Sequence, residues 1–442
     1  MSTRFEVRIE WLEAPGVVTP ELAATWSRYE IWLGNRCVSQ VEEADGTFRR
    51  SVYGSLYPLA YWIASNWWLL SSHVRPSGVD TRYWAWGNVR AYPWLRQHNV
   101  RGAGDGMPWP NLTIVPEGGI SRISWSPDDQ PRHAVVRFAS GGYGTVPSDD
   151  LRTDLATIVN HVLERLAESG LPKTPLSEEW SEIGKTDAEE QDFCRTAARM
   201  GLAPYSVDED QASAIIDVAS QLPDEVIADF FDNVDVAALT AAADWTRLAI
   251  ASAERAAAQA ERALDDAYQV AEPPLSAGNA DADRPWSTGY AMARQLRREL
   301  ALDTTESFNI APWVGVGQTS TPSYGIYGCV STYDHRCGVV LGPQGLGPTT
   351  TRFGQARALG RVLARPGQRR FVLSAARSHD ESVARAFAAE LLAPADGIRT
   401  LLDRIGENDD SALETAAHQF QVSPLVVRHQ YDNQIAASPY GS

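Results

Sequence analysis

Two arginines stand four residues apart in a segment whose apolar residues have helical spacing. In the segment 351–363, one face of the predicted helix collects Phe353, Ala356, Leu359, Gly360 and Leu363. Side chains at i and i+4 are neighbours on a helix surface, so Arg357 and Arg361 are expected to act together. A guanidinium stays protonated and has no lone pair for a metal, and Ala358 between the two cannot accept a proton from water. The segment therefore predicts a charged helix without metal ligands or a general base.

The same segment resembles the signature helix of the ImmA/IrrE-type metallopeptidases. That family has the pattern Arg-Phe-x-x-Ala-His-Glu-x-Gly-His, in which the two His hold zinc and the Glu acts as general base. The matching residues here are Arg352, Phe353, Ala356, Leu359 and Gly360. The three chemical positions read Arg357, Ala358 and Arg361 instead.

A second block, 382–394, resembles the next helix of that family, Glu-Ala-x-x-Phe-Ala-Ala-Glu-Leu-Leu-x-Pro. Its first Glu is the third zinc ligand of the family, and that position is Val383 here, with Glu381 two residues earlier. The resemblance covers about residues 286–434 and implies a zincin-like α+β domain. Because all ligand positions and the base differ, it implies a pseudoprotease without catalytic residues, metal or other cofactor.

The arginine pair has two further interpretations. Arg357 and Arg361 could bind an anion, such as a phosphate, a carboxylate or an acidic side chain of a partner. Alternatively, both could form ion pairs with acids of neighbouring helices, for example Glu390 or Glu381. The sequence leaves these two possibilities open.

A relocated metal site is a second hypothesis for the same region. Its candidate ligands are His335, Cys337, His379 and Glu381, with Cys329 eight residues before Cys337. Their spacing fits none of the usual zinc patterns, so no metal site is predicted.

Arginines and aromatic residues alternate in the segment 82–101. The candidate ligand-binding residues there are Arg82, Trp84, Trp86, Arg90, Trp94 and His98. Such a pattern could hold single-stranded nucleic acid or a nucleotide, which is a third hypothesis. Cation–π pairs at the rim of an aromatic core are the favoured interpretation, since ten of the fifteen Trp precede residue 110.

Composition limits the function further. The chain has 442 residues and a net charge of −17, which argues against broad binding to nucleic acid or to an anionic membrane. Four scattered cysteines and an N-terminus without an apolar signal region favour a cytoplasmic protein. The segment 51–74 has no charged residue, but its polar residues favour a buried helix over a membrane span.

The chain is predicted to have an α+β fold in three parts. Residues 1–148 form an aromatic-rich α+β domain of unknown role, 149–270 a helical domain, 271–285 a linker and 286–442 the ImmA/IrrE-like domain. Expected elements include a strand at 5–11, a hairpin turning at Gly34-Asn35, one helix over 55–70, a strand at 134–138 and one Ala-rich helix over 237–270.

The resulting functional prediction is a non-catalytic regulatory or partner-binding protein. Members of the resembled family often lie beside repressors, mobile elements and phage-defence genes. By analogy, this chain would recognise a partner protein, encoded nearby, in a bacterial antiphage or stress-response system.

Overall fold

The computed structural model describes residues 3–436 except 15, 44, 77–78, 80–91, 129–135, 271–284, 320–322, 377 and 406–409. The protein is mixed α+β, with several small sheets. The chain divides into two compact units, Met1–Glu209 and Asp210–Ser442. This boundary falls inside the predicted helical domain 149–270. The predicted linker 271–285 lies, except for Pro285, outside the described residues.

The described residues of the first unit form three antiparallel sheets, in the orders β1-β2-β3 with β6 beside β2, β5-β4-β9 and β10-β8-β7. The strands are β1 (Phe5–Trp11), β2 (Trp26–Leu33), β3 (Arg36–Cys37), β4 (Val41–Glu42), β5 (Phe48–Arg49), β6 (Val52–Ser55), β7 (Asn111–Pro116), β8 (Ile120–Ser126), β9 (Arg137–Phe138) and β10 (Gly142–Pro147). The predicted first strand and the hairpin turn at Gly34-Asn35 are confirmed. Of the strand predicted at 134–138, Arg137–Phe138 is observed, and 134–135 lie outside the described residues.

The α-helices among the described residues of the first unit are α1 (Pro20–Ala24), α2 (Tyr57–Ser65), α3 (Trp67–Ser72), α4 (Pro93–His98), α5 (Ser148–Glu168), α6 (Pro175–Lys185) and α7 (Ala188–Arg199). The single helix predicted over 55–70 is wrong, because α2 ends at Ser65 and α3 begins at Trp67. Asn66 separates them, and its side-chain amide donates to the carbonyl of Trp62 at 2.9 Å. An Asn side chain that bonds the preceding turn competes with continuation of the helix.

Among the residues that the structure describes, no helix combines the length and the apolar character needed to cross a membrane. The uncharged segment 51–74 instead contains β6 and the two short helices α2 and α3. All four cysteines are described, and each is a free thiol.

The second unit is built on one four-stranded sheet of order β11-β13-β12-β14. Its strands are β11 (Val314–Gly317), β12 (Gly328–Tyr333), β13 (Arg336–Leu341) and β14 (Arg370–Leu373), with only the β11–β13 pair parallel. The helices from Glu209 onward are α8 (Glu209–Gln221), α9 (Asp224–Phe231), α10 (Leu239–Ala258), α11 (Asp265–Val270), α12 (Pro285–Glu299), α13 (Pro348–Ala364), α14 (His379–Leu392), α15 (Ala395–Ile405), α16 (Asp410–Phe420), α17 (Pro424–Gln430) and a π-helical turn (Tyr431–Ala436).

Helices cover both faces of this sheet. Successive residues of a strand point to opposite faces, and on β13 Val339 joins the core that contains α13, whereas Gly338 faces α10. A Cβ atom at Gly338 would lie 2.1 Å from the carbonyl oxygen of Ala253, so the strand and α10 approach more closely than side chains on both would allow. This contact explains why α10 is rich in alanine.

The single Ala-rich helix predicted over 237–270 is wrong. Helix α10 ends at Ala258, and α11 begins only at Asp265. Between them the backbone amides of Arg262 and Leu264 donate to the carbonyls of Pro312 and His335 at 2.9 and 2.6 Å. These tertiary hydrogen bonds replace the helical ones, so the chain leaves the helix here.

Candidate functional site

Helix α13 carries the arginine pair and lies in the interior of the second unit. It follows Gly347, has Pro348 in its first turn, and ends before the Pro366-Gly367 turn. Every residue from Gly354 to Leu363 is buried. A helix that is covered on all sides has no solvent face for charged side chains. Arg357 and Arg361 must therefore find their partners inside the protein.

Gly360 lets α13 and α14 pack closely. A Cβ atom at this position would lie 2.8 Å from the ring of Phe387 on α14. Both residues belong to the blocks that resemble the metallopeptidase family, so the shared residues have a packing role here. The close approach brings the charged groups of the two helices into contact.

Arg357 forms a buried ion pair with Glu381, which is fully buried near the start of α14. Its Nη2 atom donates to Glu381 Oε2 at 2.5 Å and to the backbone carbonyl of Ser374 at 2.8 Å. The guanidinium also lies over the ring of Tyr327, 4.5 Å from the ring centroid. The other oxygen, Glu381 Oε1, accepts from the backbone amide of Ser374 at 2.9 Å.

Arg361 contacts two carboxylates from different elements. Its Nη2 atom donates to Asp229 Oδ2 on α9, and its Nη1 atom lies 3.1 Å from Asp380 Oδ2 on α14. Asp380 is shared with Arg365, whose Nε atom donates to the same oxygen at 2.9 Å. Arg361 is buried, whereas about half of the Arg365 side chain is exposed (53%).

The carboxylates around Arg361 titrate differently. Burial raises the pKa of Glu381, but the charges of Arg357, Arg361 and Arg385 outweigh it and hold this pKa below its usual value. The pKa of Asp380 is also lowered, because Arg361 and Arg365 outweigh its burial. Burial raises the pKa of Asp229 to about 6, and Arg361 offsets this only in part. The cluster thus holds two firmly ionised carboxylates and one that titrates close to neutral pH.

This geometry decides between the two interpretations of the arginine pair. Arg357 and Arg361 are ion-paired with acids of this chain, which is the alternative to binding an external anion. Of the two suggested partners, Glu381 is found in the pair. Glu390 instead accepts from Arg294, Gln430 and Gln434 at 2.8–2.9 Å. The sequence does not predict Asp229 as a partner, since no local spacing links α9 to α13.

The remaining positions of the resembled site are apolar. Ala358 and Val383 are buried, with 0% and 3% exposure, so neither position supplies a ligand or a proton acceptor. The interior contains guanidinium–carboxylate pairs where the resemblance implies two zinc ligands on α13. Those pairs can fix α9, α13 and α14 to one another, and neither arginine offers a coordinating atom to a metal.

The candidate ligands of a relocated metal site lie on two parts of the second unit, the β12–β13 hairpin and the start of α14. His335 is in the β12–β13 turn, where its Nδ1 atom is 2.7 Å from Asp265 Oδ1. Cys337 is fully buried, and burial raises the pKa of its thiol. His379 begins α14, and both oxygens of Glu381 are already bonded. The described residues contain no group of three or more His, Cys, Asp or Glu that could hold a metal ion.

Only part of the arginine–aromatic segment belongs to the described residues. Arg82, Trp84, Trp86 and Arg90 lie outside them. Trp94 and His98 are buried, with 3% and 0% exposure, and their rings stack at 4.2 Å. Neither of these two rings is open to a base or another planar ligand.

Comparison with protein-family models and with curated proteins finds no match for this chain. The resemblance to the ImmA/IrrE-type metallopeptidases therefore depends on the two sequence blocks around α13 and α14.

The buried His98 and the partly buried His73 predict that the protein loses stability in acid. Burial lowers the pKa of His73 to about 4, and burial together with the nearby His73 lowers the pKa of His98 well below 6.5. The unfolded chain binds these protons from about pH 6.5 downward and the folded chain does not, so stability present above that pH is lost as the pH falls. His73 alone should account for about 2 kcal/mol between about pH 7.5 and about pH 5.

Urea unfolding at these two pH values measures this loss. The variant His73→Gln should unfold with a smaller pH dependence, and His161→Gln, at an exposed histidine of the same unit, should behave like the wild type. An unchanged pH dependence in His73→Gln would contradict the prediction.

Proposed function

We propose that the second unit is a non-catalytic relative of the ImmA/IrrE-type metallopeptidases, and that the protein acts by binding a partner. The observation that carries this proposal is the pairing of Arg357 with Glu381 and of Arg361 with Asp229 and Asp380, at the positions of the family's zinc ligands. Two buried guanidinium groups supply the positive charge that a metal ion would supply. They cannot activate a water molecule, because they neither coordinate nor deprotonate it.

The zincin-like architecture of this unit is part of the proposal. It is supported by a helix pair, α13 and α14, packed through Gly360 and Phe387 beside a mixed sheet. By analogy with the family, the protein would recognise a regulator or a signal without cleaving it. We place this role in the bacterial cytoplasm, in phage defence or a stress response, with a partner encoded nearby.

The zinc content of the wild type and of a variant with restored ligands tests the proposal. The purified, tag-free wild type should contain less than about 0.1 zinc per chain by elemental mass spectrometry, because its ligand positions offer no lone pair. The variant Arg357→His/Ala358→Glu/Arg361→His/Val383→Glu restores the family pattern and should bind about one zinc per chain. Zinc should also raise the melting temperature of this variant and leave that of the wild type unchanged.

Each half of the experiment can fail separately. Near-stoichiometric zinc in the wild type would overturn the non-catalytic role. A folded fourfold variant that binds no zinc would overturn the resemblance, because the backbone would then not hold α13 and α14 in ligand geometry. Circular dichroism of the variant distinguishes this second outcome from a failure to fold.

A further inference from the structure

A groove of about 540 Å³ lies in the second unit, away from the arginine pair. Its lining residues are Tyr268, Thr332, Asp334, His335, Pro366, Gly367, Gln368 and Arg369. None of the residues in the Arg357 and Arg361 network lines it. Pockets of this volume hold small organic ligands, and they orient them through a few fixed polar groups.

His335 lines the groove with a side chain that is more than half exposed (64%). It lies in the tight β12–β13 turn, and its carbonyl oxygen accepts from the backbone amide of Leu264 at 2.6 Å. Its Nδ1 atom, 2.7 Å from Asp265 Oδ1, donates to that carboxylate. In a neutral imidazole the Nε2 atom is then a hydrogen-bond acceptor. The neighbouring carboxylate of Asp334 is a second acceptor in the groove.

Arg369 supplies the positive charge of the groove. Its backbone is fixed at both ends, since its amide donates to Glu225 Oε1 at 3.0 Å and its carbonyl accepts from the amide of Thr332 at 2.9 Å. Among the described residues, its guanidinium pairs with Glu254 at 3.9 Å, which is beyond hydrogen-bond distance. The Arg369 side chain is more than half exposed (56%), so its guanidinium is accessible to a phosphate or a carboxylate of a ligand.

Tyr268 is the aromatic residue among those that line the groove. Burial raises the pKa of its phenol to about 12, with smaller contributions from Cys337 and Asp265. The side chain therefore stays neutral and does not repel an anionic ligand. Its half-buried ring offers a flat surface for a planar group.

We propose that this groove binds a nucleoside monophosphate. Its phosphate would bind Arg369, its ribose hydroxyl or base amino groups would donate to His335 Nε2 and Asp334, and its base would lie along Tyr268. These three contacts match the cation, the two acceptors and the ring that the lining provides. Binding here would make the protein responsive to a nucleotide, in addition to the partner binding proposed above and independently of it.

Isothermal titration of the full chain with AMP, GMP, CMP and UMP tests this proposal. At least one of them should bind, and Arg369→Gln should weaken that binding by about tenfold or more, since it removes a charged hydrogen-bond donor. The matched control is Arg399→Gln on α15, which removes the same charge from an exposed ion pair with Asp396 at 3.0 Å. It should bind the nucleotide like the wild type. His335→Ala should also bind more weakly.

Three results would overturn the proposal. The first is no heat with any of the four nucleotides at millimolar concentration. The second is equal binding by the wild type and by a folded Arg369→Gln variant. The third is equal affinity for inorganic phosphate and for the nucleotide, because the acceptors and the ring would then have no part in recognition. Melting temperatures without ligand show that each variant is folded.

Discussion

The variant Arg361→Met is expected to be one of the most destabilising single substitutions in the second unit. Arg361 is the common cation of Asp229, Asp380 and Glu381 in a buried cluster. Without Arg361, the carboxylates of α9 and α14 would repel one another with less positive charge to offset the repulsion. Removing one partner of a buried ion pair costs about 3–5 kcal/mol in free energy of unfolding, since the remaining charge stays buried and unpaired.

This loss should depend on pH with a defined sign. Burial raises the pKa of Asp229 to about 6 and Arg361 offsets this in part, so removal of Arg361 raises the pKa of Asp229 further in the folded protein. A carboxyl group with a raised folded pKa is destabilising when ionised and is relieved by protonation. The difference in stability between the variant and the wild type should therefore become smaller between about pH 7.5 and about pH 5.

Arg365→Met is the matched control for this prediction. Arg365 pairs with the same Asp380, but about half of its side chain is exposed (53%). Exposed ion pairs contribute about 0–1 kcal/mol, so this variant should differ little from the wild type. Urea unfolding followed by circular dichroism compares the two. Equal losses in both variants would show that burial of Arg361 does not determine its contribution.

The second large effect is expected at the Arg357–Glu381 pair. Glu381→Leu should leave the guanidinium of Arg357 buried over Tyr327 without an anion, at a cost of about 3–5 kcal/mol. Arg357→Met should cost a similar amount, because Glu381 would lose its strongest stabilising charge. The double variant Arg357→Met/Glu381→Leu should be more stable than the sum of the two losses predicts, by about 2 kcal/mol or more.

The double-mutant cycle distinguishes the free energy of the ion pair from the general cost of changing two buried side chains. In the wild type the lowered pKa of Glu381 means that its contribution is present above about pH 4.5 and is lost as the pH falls through its folded-state pKa. The coupling between the two residues should disappear in acid. The exposed pair Arg399–Asp396 provides the reference cycle, with an expected coupling below about 1 kcal/mol. Additive losses at Arg357 and Glu381 would contradict this prediction.

Helix α13 could be predicted because its signal is local. Helical apolar spacing predicts a helix over 351–363, and the resemblance to the metallopeptidase family implies another over 382–394. Helices α13 and α14 are observed at Pro348–Ala364 and His379–Leu392. The mixed α+β class follows from the same kind of pattern. Signals of this kind are contained within a single helix or strand.

The partners of the arginines depend on tertiary packing. Glu381 and Glu390 are nine residues apart, so they lie about 13 Å apart along α14. Only Glu381, near the start of the helix, reaches Arg357, while Glu390 meets Arg294 of α12. Asp229 precedes Arg361 by 132 residues, and no spacing rule relates them.

The two helices that were wrongly predicted as continuous are interrupted for the same reason. Propensity favours one helix over 55–70 and one over 237–270, but specific hydrogen bonds interrupt both, through the Asn66 side chain and through the backbone of Arg262 and Leu264. Likewise, the alternation of arginine and aromatic residues gives no information on exposure, and Trp94 and His98 are buried. Tertiary hydrogen bonds and burial override local preference in each case.

Because every residue of Gly354–Leu363 is buried, α13 is expected to be among the last parts of the second unit to unfold. Backbone amides at the surface exchange with deuterium through small local fluctuations, whereas those of a fully covered helix exchange only when a large part of the unit unfolds. The amides of α13 should thus be among the slowest in the second unit to take up deuterium. Helix α13 would then form the centre of the part of the second unit that resists unfolding longest.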